Sequence, residues 1–162
     1  MLKRFLLAAG AIALTAFPAS AQLREAELPE IFDSYNDCFA ATKTGSISLG
    51  ALEKRGWKRA VVSAADGKEI EGGPIMFGHA ERAPIVMFDA TEGDGICMVT
   101  ARIKSFDVYE DFKQAFGGKL PPANEDGTTT YVANGQLVQI APTGSREAPA
   151  LRLIVATLRR KN

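Results

Sequence analysis

The stretch TTTYVANGQLVQIA (residues 128–141) decides the architecture of this chain. Two runs rich in β-branched and apolar residues, 128–133 and 136–141, flank Asn134-Gly135. A two-residue connection between strands needs positive φ at both positions, which Asn and Gly tolerate best, and it closes a type I′ hairpin. The flanking runs are therefore predicted to be antiparallel strands. Pro149 opens a last strand over residues 150–158, in which Leu151, Leu153 and Val155 alternate with Arg152. That period of two is the mark of a strand with one buried face.

Upstream of the hairpin, residues 119–127 form a loop rich in Pro, Gly and Asp. A helix is predicted from Asp107, which with Glu110 has the form of a capping box. Val108, Phe112, Ala115 and Phe116 make its apolar stripe, and Gly117 ends it. Further upstream, strands are predicted at 58–63, 75–79, 85–89 and 96–103, with turns at Asp66-Gly67, Gly72-Gly73-Pro74 and Glu92-Gly93-Asp94-Gly95.

The N-terminal part reads as helical. Pro29 suits a first helical turn, where its missing N–H costs nothing. Leu28, Ile31, Phe32, Tyr35, Cys38 and Phe39 then recur at helical spacing, with Gly45 as a stop. Ser48 is placed to cap a short second helix through Leu49, Leu52 and Arg55, closed by Gly56. The expected fold class is α+β: a mainly antiparallel sheet of about six strands, with two to three helices packed on one face. Asp33-x-Tyr35-x-Asp37 and Asp107-x-Tyr109-x-Asp111 form a faint internal echo, too short to establish duplication.

Residues 1–21 have the layout of a secretory signal peptide. Lys3 and Arg4 precede an uncharged apolar run of about 13 residues, and Ala19-Ser20-Ala21 presents small residues for cleavage before Gln22. The run is shorter than the ~20 residues that span a bilayer as a helix. The expected organisation is a leader, 1–21, and a single α+β domain, 22–162, delivered to the bacterial periplasm or the medium with no stable membrane span. After cleavage all 19 acidic residues remain and two basic ones are lost, leaving a net charge of about −2. That balance lacks the clustered basic surface that nucleic-acid binding needs.

Cys38 and Cys97 are the only cysteines. In an oxidising compartment such a pair points to a structural disulfide; two buried free thiols are the alternative. The spacing fits neither a thioredoxin-type redox motif nor covalent haem attachment.

Candidate chemistry is sparse. His79 is the only histidine. No nucleophile motif accompanies it, so it reads as an ordinary residue at a strand end. A small metal-independent hydrolase using carboxylates with His79 is the catalytic alternative. Asp89, Glu92 and Asp94 form one acidic group, in a turn that lacks the ligand spacing of a calcium loop. Asp107, Glu110 and Asp111 form another, accounted for by helix capping and the helix dipole.

Met76, Met87 and Met98 recur every 11 residues, each within a predicted strand. If Phe77, Phe88 and Cys97 face a helix-covered core, alternation puts all three methionines on the far face. Three thioethers there make a candidate binding face, or a soft Cu(I) site. Loops 64–73 and 119–127 are further places for recognition, and neither carries a phosphate-binding or dinucleotide-binding pattern.

The helix cysteine Cys38, the Gly56-Trp57 pair and the strand cysteine Cys97 together resemble a framework found in uncharacterised small exported bacterial proteins. The resemblance implies an exported domain with a disulfide and carries no activity or functional residue with it. The expectation is a non-catalytic periplasmic protein, monomer or homodimer, without cofactor. It would bind a protein partner or small ligand through the open sheet face or the loops.

Overall fold

The computed structural model describes residues 23–43, 46–61, 68, 74–91 and 94–157. The leader, Gly45, Asp66-Gly67, Gly72-Gly73 and Glu92-Gly93 lie outside the described residues, as does all of loop 64–73 but Lys68. In chain order the elements are α1 (Leu28–Ala41), α2 (Leu49–Glu53), β1 (Trp57–Ala60), β2 (Ile75–His79), β3 (Ile85–Thr91), β4 (Asp94–Arg102), α3 (Phe106–Gln114), β5 (Thr129–Ala133), β6 (Gln136–Gly144) and β7 (Pro149–Thr157). The fold is α+β. The sheet has seven strands rather than about six, in the order β1-β2-β3-β4-β7-β6-β5, and every pair of neighbours is antiparallel.

Each of two meanders follows a helix, and their last strands, β4 and β7, meet at the centre. The β5–β6 hairpin turns at Asn134 (φ 50°) and Gly135 (φ 77°), the two positive φ values that a type I′ turn requires. Alternation along the central strands sends Cys97, Val99 and Ala101 of β4, and Leu151, Leu153 and Val155 of β7, into one core. All six are fully buried. Val86, Phe88, Val138 and Ile140 widen the same face.

The three helices contribute to that one core. Ile31 and Cys38 of α1, Leu52 of α2, and Tyr109 and Phe112 of α3 are buried in it. Cys38 is joined to Cys97 by a disulfide with a Cα–Cα distance of 5.7 Å, which fastens α1 to the middle of the sheet. Phe32 of α1 stacks on Phe112 of α3 at 4.5 Å between ring centroids, and Phe116 closes on both.

Local details depart from expectation in α3 and at the start of β1. The cap of α3 is Ser105 rather than Asp107: the Ser105 Oγ accepts the Asp107 N–H, because Asp107 already lies inside the first turn. The buried stripe of α3 is Tyr109 and Phe112, while Ala115 ends the helix and is exposed. At α1 the Glu27 N–H donates to the Glu30 carboxylate at 2.8 Å, one bond of a capping box. In β1 the strand begins at Trp57, whose fully buried ring pulls that residue into the sheet.

Candidate binding face

The strand register sets a row of side chains across the whole sheet. Ala60 is the partner of Met76, Met76 of Met87, Met87 of Met98, Met98 of Ile154, Ile154 of Gln139, and Gln139 of Thr130. Residues directly opposite on paired strands share a face. Cys97 and Val99, the chain neighbours of Met98, point into the helix-covered core. The three methionines therefore stand side by side on the other face, each half-buried. Ile96, Ala156, Leu137 and Val132 form an adjoining apolar row. Ile96 is 39 % exposed and Val132 62 %.

Among the described residues no helix covers this face. The contrast between two glycines marks the difference. A Cβ placed on Gly95, whose chain neighbour Ile96 points outward, would run into the Ile47 side chain. A Cβ placed on Gly78, on the methionine side of β2, would meet nothing within 4 Å. The face thus carries an apolar strip of methionine, isoleucine and leucine side chains with no described helix over it, while Ala141, opposite Arg152 on the same face, is 2 % exposed. The three methionines form a line across adjacent strands rather than a ring about one point.

Polar side chains share this face: by the same alternation Lys58, Thr100, Arg102, Thr130, Gln139 and Thr143 fall on it. Asp89 stands opposite Ile96, and Arg152 opposite Thr100. Asp89 is exposed and has no ion pair among the described residues. Arg152 has no carboxylate partner there either, and its Nε is buried without a hydrogen bond. Arg102 is 3.8 Å from Glu25.

His79 belongs to a different cluster, on the helix side of the β1–β2 edge. Asp37 of α1, 8 % exposed, accepts the Trp57 indole N–H at 3.0 Å and the Arg82 guanidinium at 2.7 Å on one oxygen. Its other oxygen takes Arg55 at 3.0 Å. The His79 ring lies edge-on to Trp57 at 5.3 Å. Its Nδ1 accepts the Glu81 N–H, and its Nε2 is 3.1 Å from the Arg55 carbonyl. Those two partners select the neutral tautomer with its hydrogen on Nε2. Both ring nitrogens are held by backbone, and His79 bonds no carboxylate among the described residues. The arrangement ties α1 to the edge of the sheet.

The acidic groups predicted from sequence are not gathered into a site. Asp107 bonds Ser105, and Glu110 pairs with Lys113 at 2.9 Å. Glu92 lies outside the described residues. Among the described residues no three His, Cys, Asp or Glu side chains stand together as metal ligands. Loop 119–127 and α3 border a shallow groove of about 440 Å³ lined by Lys113, Leu120, Pro121, Pro122 and Thr129.

The displaced titrations are structural. Burial raises Tyr35, partly offset by its 3.1 Å hydrogen bond to Tyr131. Burial and that same contact hold Tyr131 far above the usual phenol range. Tyr109 is pushed up to about 12 by burial, with help from the Glu110 carboxylate. Burial alone would raise Glu30, but the Glu27 N–H and the Arg24 guanidinium outweigh it and lower the carboxyl.

The methionine face was signalled in the sequence by an 11-residue spacing, whereas Asp37 gave no local signal, since its partners lie 18 to 45 residues away. No family model matches this chain, and neither a curated protein nor a solved structure does.

Proposed function

We propose that this is an exported, non-catalytic protein of the bacterial periplasm that binds a protein partner or small ligand through the open face of its sheet. The observation that carries the reading is the direct register of Met76, Met87 and Met98 on a face that no described helix covers. Thioethers are flexible and polarizable, so they adapt to a partner's shape better than branched side chains do. Exposed apolar patches of this breadth on soluble domains mark interaction surfaces. Export is supported by the leader at residues 1–21, and the Cys38–Cys97 disulfide suits an oxidising compartment.

Apart from Met1, the only methionines are those of the face. Their oxidation therefore reports directly on whether the face is covered. Cells would be treated with dilute peroxide, alongside the purified protein at high dilution, and sulfoxide at each methionine read by mass spectrometry. Lower oxidation in cells than in the dilute protein supports docking; equal oxidation rejects it. The same spectra give the mature N-terminus, expected at Gln22.

A further inference from the structure

We infer that the partner of the open face is a second copy of this chain, docked face to face about a two-fold axis through Met98. The inference rests on the docking reading above and names its occupant. In an isologous interface, every residue that meets a different residue is met by it in return, so opposite charges must be placed symmetrically about the axis. On the open face an axis through Met98 places Asp89 and Arg152 in that way. Asp89 lies one strand to the β3 side of Met98 and one row toward Ile96. Arg152 lies one strand to the β7 side and one row toward Thr100. Met98 is midway between them.

An axis in the interface plane, through Met98 and perpendicular to the Asp89–Arg152 line, exchanges these two positions. Asp89 of each copy then meets Arg152 of the other, while Met98 packs on its own counterpart. With strands about 4.8 Å apart and about 6.8 Å between alternate residues, the two sheets cross at roughly 70°. That is a steep crossing, close to the orthogonal class of sheet packing. The face is seven strands, about 34 Å, wide, and its length runs from about 30 Å at the nine-residue strands β4, β7 and β6 to about 14 Å at the four-residue β1.

The charges suit this occupant. Asp89 and Arg152 have no ion-pair partners among the described residues. The two-fold pairing supplies a carboxylate to each guanidinium and places both pairs beside a desolvated methionine centre.

The test is sedimentation of the secreted, oxidised protein over a concentration series, with Asp89→Arg, Arg152→Asp and an equimolar mixture of the two. The native chain is expected to form a dimer that dissociates on dilution. Each single variant sets like charges against each other twice and should weaken dimerisation at least tenfold. In the mixture both pairs return as Arg–Asp, so a heterodimer should form with near-native affinity. That recovery requires both variants to be folded, and circular dichroism checks them independently.

A native chain that is monomeric throughout, single variants that dimerise normally, or a mixture that stays monomeric despite folded components overturns the inference. Methionine protection in cells separates its failure from that of the docking reading. A monomer whose methionines are still shielded in cells loses self-association and keeps docking. A monomer oxidised equally in both settings loses both.

Discussion

The Trp57 indole N–H donates to Asp37 at 3.0 Å, and the carboxylate that receives it is also gripped by Arg55 and Arg82. One half-turn of α1 thus carries both the disulfide cysteine and the polar anchor of the sheet edge. Removing Asp37 strands two guanidinium groups and an indole. Asp37→Ala should cost about 2–4 kcal/mol, while Asp37→Asn keeps an acceptor and should cost roughly half as much. Trp57 is the only tryptophan, so its emission reports the change locally while denaturant melts report stability. A native-like stability for Asp37→Ala would show that the cluster contributes nothing to folding.

The Cys38–Cys97 link spans 59 positions, and both residues are fully buried. Chain-entropy arguments assign such a loop roughly 4 kcal/mol of stabilisation. Reductant alone should leave the bond intact at room temperature, because attack requires opening the core. The double Cys38→Ala, Cys97→Ala variant should lose about 3–4 kcal/mol. Rapid alkylation of the native protein under mild reduction would contradict this.

All three tyrosines are displaced upward, Tyr109 to about 12 and Tyr35 and Tyr131 in the same direction. In the unfolded chain each ionises near pH 10. A raised folded value means this stability is fully present below about pH 10 and is lost as pH rises through the folded values. Absorbance titration of the native protein should therefore show no phenolate step near pH 10. At higher pH the phenolate signal should rise together with the loss of fold. A tyrosine that titrates normally while the fold persists would refute the assignment.

Gly56 sits at φ 89°, and a Cβ there would come within 2.8 Å of His79 Nε2. Gly135 has φ 77° with open space around its Cβ position. Gly135→Ala should cost only the backbone strain, about 1–2 kcal/mol. Gly56→Ala should cost more, since it also displaces the ring from the Arg55 carbonyl. The excess should shrink in a His79→Ala background, measured as a double-mutant cycle.

Glu30 is held below its ordinary range by the Glu27 N–H and Arg24 despite its partial burial. Its contribution is present above the unfolded carboxylate value, near 4.3, and lost as pH falls through the lower folded value. Glu30→Gln should lower the melting temperature at pH 7 and make little difference at pH 2. An equal effect at both pH values would remove the ionic part of the cap.

The parts of the fold set by short-range chemistry were legible in the sequence. The Asn134-Gly135 turn needs only local φ preferences, and the punctuation flanking residues 75–79 marks β2 at its observed bounds. The face of α1 was legible because Ile31, Tyr35 and Cys38 repeat at helical spacing and all end in the core. Caps were less so: Ser105 and Asp107 have similar chemistry two residues apart, and only the backbone angle decides between them.

What the sequence by itself determined is the alternation of the last strand, where the hairpin turns, and that two cysteines were available to pair. Alternation and turn propensity act within a few residues, so they can be read along the chain. Only the tertiary structure decided that β4 lies against β7, that Met76, Met87 and Met98 fall in one row, and that Asp89 and Arg152 flank Met98 symmetrically. It likewise brought Asp37, Trp57 and Arg82 together. Those relationships depend on long-range pairing, where core burial selects one register and a one-residue slip would invert every face.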